Sequence, residues 1–123
     1  MKKLLILILS LFSLSYAYEN LSAKEFYEFL NKEKDYILLD VRTPQEFYKE
    51  GHIKGANLIP IQLFKYIYLG GKGLKNKKVF IYCRSGNRSA VASKILEKWG
   101  VKKVYNLKNG ILEWKKERLP IEK

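Results

Sequence analysis

The sequence predicts an α/β fold organised around a mainly parallel sheet, and three observations carry that expectation. Short apolar runs alternate with stretches of helical periodicity along most of the chain. Capping signals open several of the helical stretches, and glycines close them. One apolar run, Val79-Phe80-Ile81-Tyr82, passes straight into a basic, glycine-containing loop and then a helix. Parallel sheets place their ligand sites in such loops, at the carboxyl ends of strands.

The elements follow in order. Ser22 caps a first helix, Glu25 completes its capping box, and Leu21 is placed to staple onto Phe26. Phe26, Phe29 and Leu30 then share one helical face. Tyr36 to Val41 reads as a buried strand ending near Asp40-Val41-Arg42. Thr43-Pro44-Gln45-Glu46 is a second capping box, with proline at the first helical position, and Gly51 stops that helix. Asn57 to Ile59 is a short strand ended by Pro60, and Ile61 to Leu69 reads as helical before Gly70-Gly71. Lys78 to Tyr82 is the central strand. Ser89 to Trp99 forms the helix after the cysteine loop, ended by Gly100. Val101 to Leu107 supplies a fourth strand, and Asn109-Gly110 turns into a last helix through Ile111, Leu112 and Trp114.

The first 17 residues have a different character. Met1-Lys2-Lys3 precedes an apolar stretch from Leu4 to Leu14, and Ser15 and Ala17 occupy positions −3 and −1 of a cut after Ala17. This is the pattern of a secretory signal peptide. The stretch is shorter than the ~20 residues of a spanning helix, so a retained anchor is the lesser reading. Residues 18–123 then form a single domain, expected to be exported to the periplasm or secreted, with no stable membrane insertion after cleavage. A monomer is the default expectation.

Charge and residue counts exclude several functions. The 123 residues carry 24 Lys and Arg against 12 Asp and Glu, a formal net charge of +12. The lysines are scattered, which suits a solvated basic surface that favours small anions better than a nucleic-acid partner. One cysteine and one histidine cannot make a tetrahedral metal site. No dinucleotide fingerprint occurs, so neither metal nor cofactor is expected. The lone Cys83 has no internal disulfide partner, which leaves a free reactive thiol or an intermolecular bond.

Cys83 opens the segment Cys83-Arg84-Ser85-Gly86-Asn87-Arg88-Ser89. A thiol there faces loop N–H groups, a helix N-terminus and two arginines, all of which favour thiolate. Arg88 is the better candidate for a charge beside the sulfur, and Arg84 for an outward cation that recruits an anion. Ser89 reads most simply as the helix N-cap; Ser85 fits either a structural or a binding role. Gly86 lets the backbone turn inward with positive φ.

Two segments resemble the rhodanese-like sulfurtransferases. Leu39-Asp40-Val41-Arg42-Thr43-Pro44-Gln45-Glu46-Phe47, continuing through Gly51-His52-Ile53-Lys54-Gly55-Ala56 to Ile59-Pro60, is similar to that family's first signature. Tyr82-Cys83-Arg84-Ser85-Gly86-Asn87-Arg88-Ser89-Ala90 resembles its cysteine loop. With the stretch from Gly100 to Trp114, the resemblance covers about Leu21 to Pro120 and is nearest to the small periplasmic rhodaneses. It implies a three-layer fold, a parallel sheet flanked by helices. It also implies that Cys83 takes sulfane sulfur from a small anionic donor such as thiosulfate, as a persulfide, and passes it to cyanide, a thiol or a protein acceptor. Arg84, Ser85, Gly86, Asn87, Arg88 and Ser89 would bind the donor. Asp40, Arg42, Glu46 and His52 fit a hydrogen-bonded clasp between loops more readily than a catalytic set, although the strand-end positions of Asp40 and Arg42 would allow an approach to the site's rim. Two rival functions stand beside this one. A persulfide carrier or binding module would serve a partner protein. A cysteine phosphatase or arsenate reductase would need an arginine at position 89, where the chain has serine.

Overall fold

The computed structural model describes residues 17–64, 66 and 74–123. It contains five strands, β1 (Glu19–Leu21), β2 (Tyr36–Asp40), β3 (Asn57–Leu58), β4 (Lys78–Tyr82) and β5 (Lys103–Leu107). They form one sheet in the order β1-β5-β4-β2-β3, and every neighbouring pair is parallel. The helices are α1 (Ala23–Lys32), α2 (Pro44–Glu50), α3 (Ile61–Phe64), α4 (Asn87–Lys98) and α5 (Gly110–Lys116).

Residue alternation along the strands produces the three layers. Leu38, Phe80, Tyr82 and Leu107 face one way and pack with Phe26 and Leu30 of α1 and with Ile111 and Trp114 of α5. Leu39, Val79, Ile81 and Cys83 face the other way, toward Phe64 of α3 and Ala92 and Leu96 of α4. Both faces of the central strands are therefore buried, as a parallel sheet requires. Each fully buried large apolar side chain contributes ~1.5–3 kcal/mol. Phe26 meets the Phe80 ring edge-on at 5.3 Å, the geometry aromatic quadrupoles favour.

Both expected capping boxes form. Ser22 Oγ accepts from the Glu25 N–H, and Glu25 Oε1 accepts from the Ser22 N–H. Thr43 Oγ1 and Glu46 repeat the exchange at α2, with Pro44 at its first turn and Gly51 beyond its end at φ 95°.

The structure differs from expectation in four places. An edge strand, β1, precedes α1 and pairs with β5. It is only three residues long and two of them are exposed, too weak a pattern to read from composition. Second, α4 begins at Asn87, with Gly86 rather than Ser89 at the N-cap position. Third, α3 spans Ile61–Phe64; most of the remainder of the expected helix to Leu69, and its Gly70-Gly71 stop, lie outside the described residues. So do residues 1–16 of the expected signal peptide. Fourth, Val41, Ile59, Val101 and Lys102 lie just outside the strands assigned to them.

Candidate active site

β4 ends at Tyr82, and the next residue, Cys83, is 1% exposed. Its sulfur sits inside a loop that turns back on it before α4 begins. The Gly86 N–H lies 3.1 Å from Sγ, the Ser89 N–H 3.4 Å and the Ser89 hydroxyl 3.3 Å. Three donors from two sides of the loop therefore converge on one sulfur. The positive end of α4, a 12-residue helix, adds to their field. The arrangement stabilises negative charge on a sulfur held in a fixed place.

The turn depends on two glycines. Gly86 has φ 104°, and a Cβ there would stand 1.9 Å from the Lys108 carbonyl oxygen. Gly110, at φ 69°, would bring a Cβ within 2.0 Å of the Arg84 carbonyl oxygen. That close approach lets the first turn of α5 grip the loop: Ile111 N–H donates to the Cys83 carbonyl, and Leu112 N–H to that of Arg84. The chain's pattern marked Gly110 as a turn. Its role in seating the cysteine loop depends on packing between β4 and α5, which sequence order does not reveal.

Ser89 lies in the first turn of α4 instead of capping it. Its single hydroxyl proton lies within reach of both Sγ, at 3.3 Å, and the Gly86 carbonyl, at 3.2 Å. The N-cap preference for serine was the misleading signal, because a left-handed glycine already starts the helix. Arg84, Ser85 and Asn87 are exposed around the loop. Among the described residues, no ion pair engages Arg84.

Arg88 is held differently. Its guanidinium makes a bidentate pair with Glu46 of α2, at 2.8 and 2.9 Å. Those bonds hold the Glu46 carboxyl down at about 2, with Thr43 assisting against the cost of burial. The same pairing raises Arg88, and Cys83 is among the lesser charges acting on it. The Nη1–Nη2 face of Arg88 is therefore committed to Glu46. Glu46 was legible as a capping residue; its second partner, 42 positions away, was not.

Asp40 and Arg42 are both fully buried and form a hydrogen-bonded ion pair at 2.7 Å, so neither stands on an exposed rim. Arg42 also donates to the Gly51 carbonyl. Burial alone would pull the Arg42 pKa down, but the bonds and charge of Asp40 raise it overall. The Tyr82 hydroxyl accepts from the Ile53 N–H, and burial first, with Asp40 adding to it, pushes that phenol upward. These groups join β2 and β4 to the loop from Gly51 to Ile53. His52 stacks on Phe47 at 3.8 Å, shares Nδ1 with the Phe47 carbonyl and bridges to Glu122 through its backbone. Those partners place it in the clasp. Among the described residues, no cluster of metal-ligating side chains occurs.

Known proteins match this chain in sequence and in fold. A family model described as a rhodanese-like domain matches residues 22–117. A sulfurtransferase from Allochromatium vinosum is 39% identical over 93 residues, covering 72% of this chain and 79% of that protein. The uncharacterized protein YqhL from Bacillus subtilis is 40% identical over 77 residues, and the match covers 63% of this chain and 59% of the relative. A crystal structure of a rhodanese-related protein from Thermoplasma volcanium superposes with a TM-score of 0.72 at 31% identity, covering 85% of this chain and 98% of that one. The parallel sheet, the buried cysteine after its central strand and these matches establish that the chain belongs to the rhodanese-like domain family.

Proposed function

We propose that this protein is a sulfurtransferase that carries sulfane sulfur on Cys83. The observation that carries the reading is the convergence of the Gly86 N–H, Ser89 N–H and Ser89 hydroxyl on Sγ. The Cys83 thiolate attacks the outer sulfur of thiosulfate. The S–S bond of the donor breaks, its electron pair leaves with sulfite, and a persulfide remains on Cys83. A thiolate or cyanide then takes the outer sulfur and returns the Cys83 thiolate, so each step moves one sulfur and the charges balance. The loop donors hold charge on either sulfur form without a base, which suits the placement of His52 in the clasp.

The two arginines divide their work. The end-on Nη1–Nη2 face of the Arg88 guanidinium is bound to Glu46, whose carboxylate offsets its charge. Arg84, exposed and unpaired among the described residues, is the cation that draws the donor's sulfonate-like end. Ser85 and Asn87 line the approach. The serine at position 89, where a phosphatase loop would place its arginine, argues against that activity. We further propose that residues 1–17 direct export and are removed, so that residues 18–123 work as a small periplasmic monomer.

Thiocyanate formation from thiosulfate and cyanide tests the reading. Turnover by the wild type that vanishes in Cys83→Ser is the expected result. Hydrolysis of an aryl phosphate with no thiocyanate would contradict it. Slow release to cyanide with rapid release to a thiol protein would redirect it to the persulfide-carrier reading.

A further inference from the structure

We infer that the protein has a second binding site, for a planar aromatic anion, at the end of the sheet opposite Cys83. A cavity of about 410 Å³ opens between the lower parts of α1 and α5, the start of β2 and the loop before β3. Tyr36, the first residue of β2, lies in register with Lys78, the first residue of β4. Cys83 follows the last residue of β4, at the other end of that strand from Lys78.

The cavity's walls and mouth have different chemistry. Half-buried Tyr27 and Tyr36 present aromatic surface, and buried Trp114, Leu30 and Ile53 lie behind them. The Tyr27 and Trp114 rings meet edge-on at 5.5 Å, and the Trp114 N–H is already bonded to the Pro120 carbonyl. The indole, 1% exposed, therefore backs the cavity from the core and offers no free donor. Lys54 and Asn31 stand exposed at the mouth. Among the described residues, neither of these two, nor the hydroxyl of Tyr27 or Tyr36, has a hydrogen-bond or ion-pair partner. One unpaired cation and three neutral polar groups thus surround an aromatic pocket whose volume is in the range of small-molecule sites. A flat ring would lie against the aromatic walls, and a carboxylate or sulfonate would reach Lys54 and Asn31. A neutral ring would leave the cation unmatched, and a cationic one would be repelled.

Titration with 2-naphthalenesulfonate, followed by the indole N–H resonances of the full chain, tests the site. The chain has two tryptophans, and Trp99→Phe assigns the Trp114 signal. A saturable shift of Trp114 is expected, with half-saturation below about 1 mM. Lys54→Gln should weaken binding about tenfold, the worth of one charge-assisted contact. The neutral analogue 2-naphthalenemethanol should bind the wild type about tenfold more weakly than the sulfonate does. Excess thiosulfate should leave the shift in place. An unmoved Trp114 signal, equal binding by Lys54→Gln, or displacement by thiosulfate would each overturn the proposal. Thiocyanate formation by Lys54→Gln at the wild-type rate verifies that this variant is folded.

Discussion

Two arginine–carboxylate pairs flank the central strands, and they are built for different tasks. Asp40, the last residue of β2 and in register with Tyr82, and Arg42, two residues beyond it, are both fully buried, and their partners are backbone and each other. Glu46 and Arg88 join α2 to the cysteine loop nearer the surface, with side chains 14% and 33% exposed. The inner pair is committed to architecture, since a buried charge without its partner is costly. The outer pair fixes the position of one residue in the first turn of α4 and offsets its charge. The Cys83 sulfur, between them, is served by neither guanidinium directly; its hydrogen bonds come from the backbone and Ser89. Charge supports this site from outside, and local N–H and O–H groups contact the reacting atom.

Breaking the inner pair should have the largest effect. Arg42→Ala leaves Asp40 buried and uncompensated, and is expected to cost ~3–5 kcal/mol in denaturant unfolding. Replacing both members together with apolar residues of similar volume should recover much of that loss. A single variant as stable as the wild type would show that the pair does not hold the clasp.

Breaking the outer pair should cost less, ~1–3 kcal/mol in Glu46→Gln. It should also show a distinct pH dependence. The Glu46 carboxyl is held at about 2 against an ordinary 4.5. Its contribution is therefore complete above about pH 4.5 and is lost as pH falls toward 2. The stability gap between wild type and Glu46→Gln should close over that window. A gap that stays constant across it would mean the ionised pair is not its source.

Removing one donor from the sulfur should cost little stability and more rate. Ser89→Ala deletes the hydroxyl bond to Sγ but keeps the backbone N–H. Sulfur transfer should fall about tenfold, with ~1 kcal/mol or less of stability lost. The smallest structural effect belongs to Arg84→Gln, within about 0.5 kcal/mol. That variant should raise KM for thiosulfate several-fold while the first-order rate at saturation holds. The reverse pattern, a loss only in Arg88→Gln, would return the anion-binding role to Arg88.

The sequence reading succeeded where the controlling contacts are local. Ser22 with Glu25 and Thr43 with Glu46 are three residues apart, and both boxes formed where the pattern put them. The central strand and its cysteine turn were legible from four apolar residues running into a glycine-containing loop. Long-range partners were not. Arg88 finds Glu46 across 42 residues, and Gly110 admits α5 to the Arg84 carbonyl. β1 was missed because an edge strand of three residues has one buried side and almost no pattern. Ser89 was misplaced because its neighbour Gly86 already supplies the left-handed start of α4.

The most direct test of the account is the mass of the full chain after incubation with thiosulfate and removal of excess donor. The expected result is an added mass of about 32 Da, one sulfur atom, that is lost on treatment with cyanide and never forms in Cys83→Ser. An unchanged mass in the wild type, or the same adduct in Cys83→Ser, would contradict the claim that Cys83 carries the sulfur.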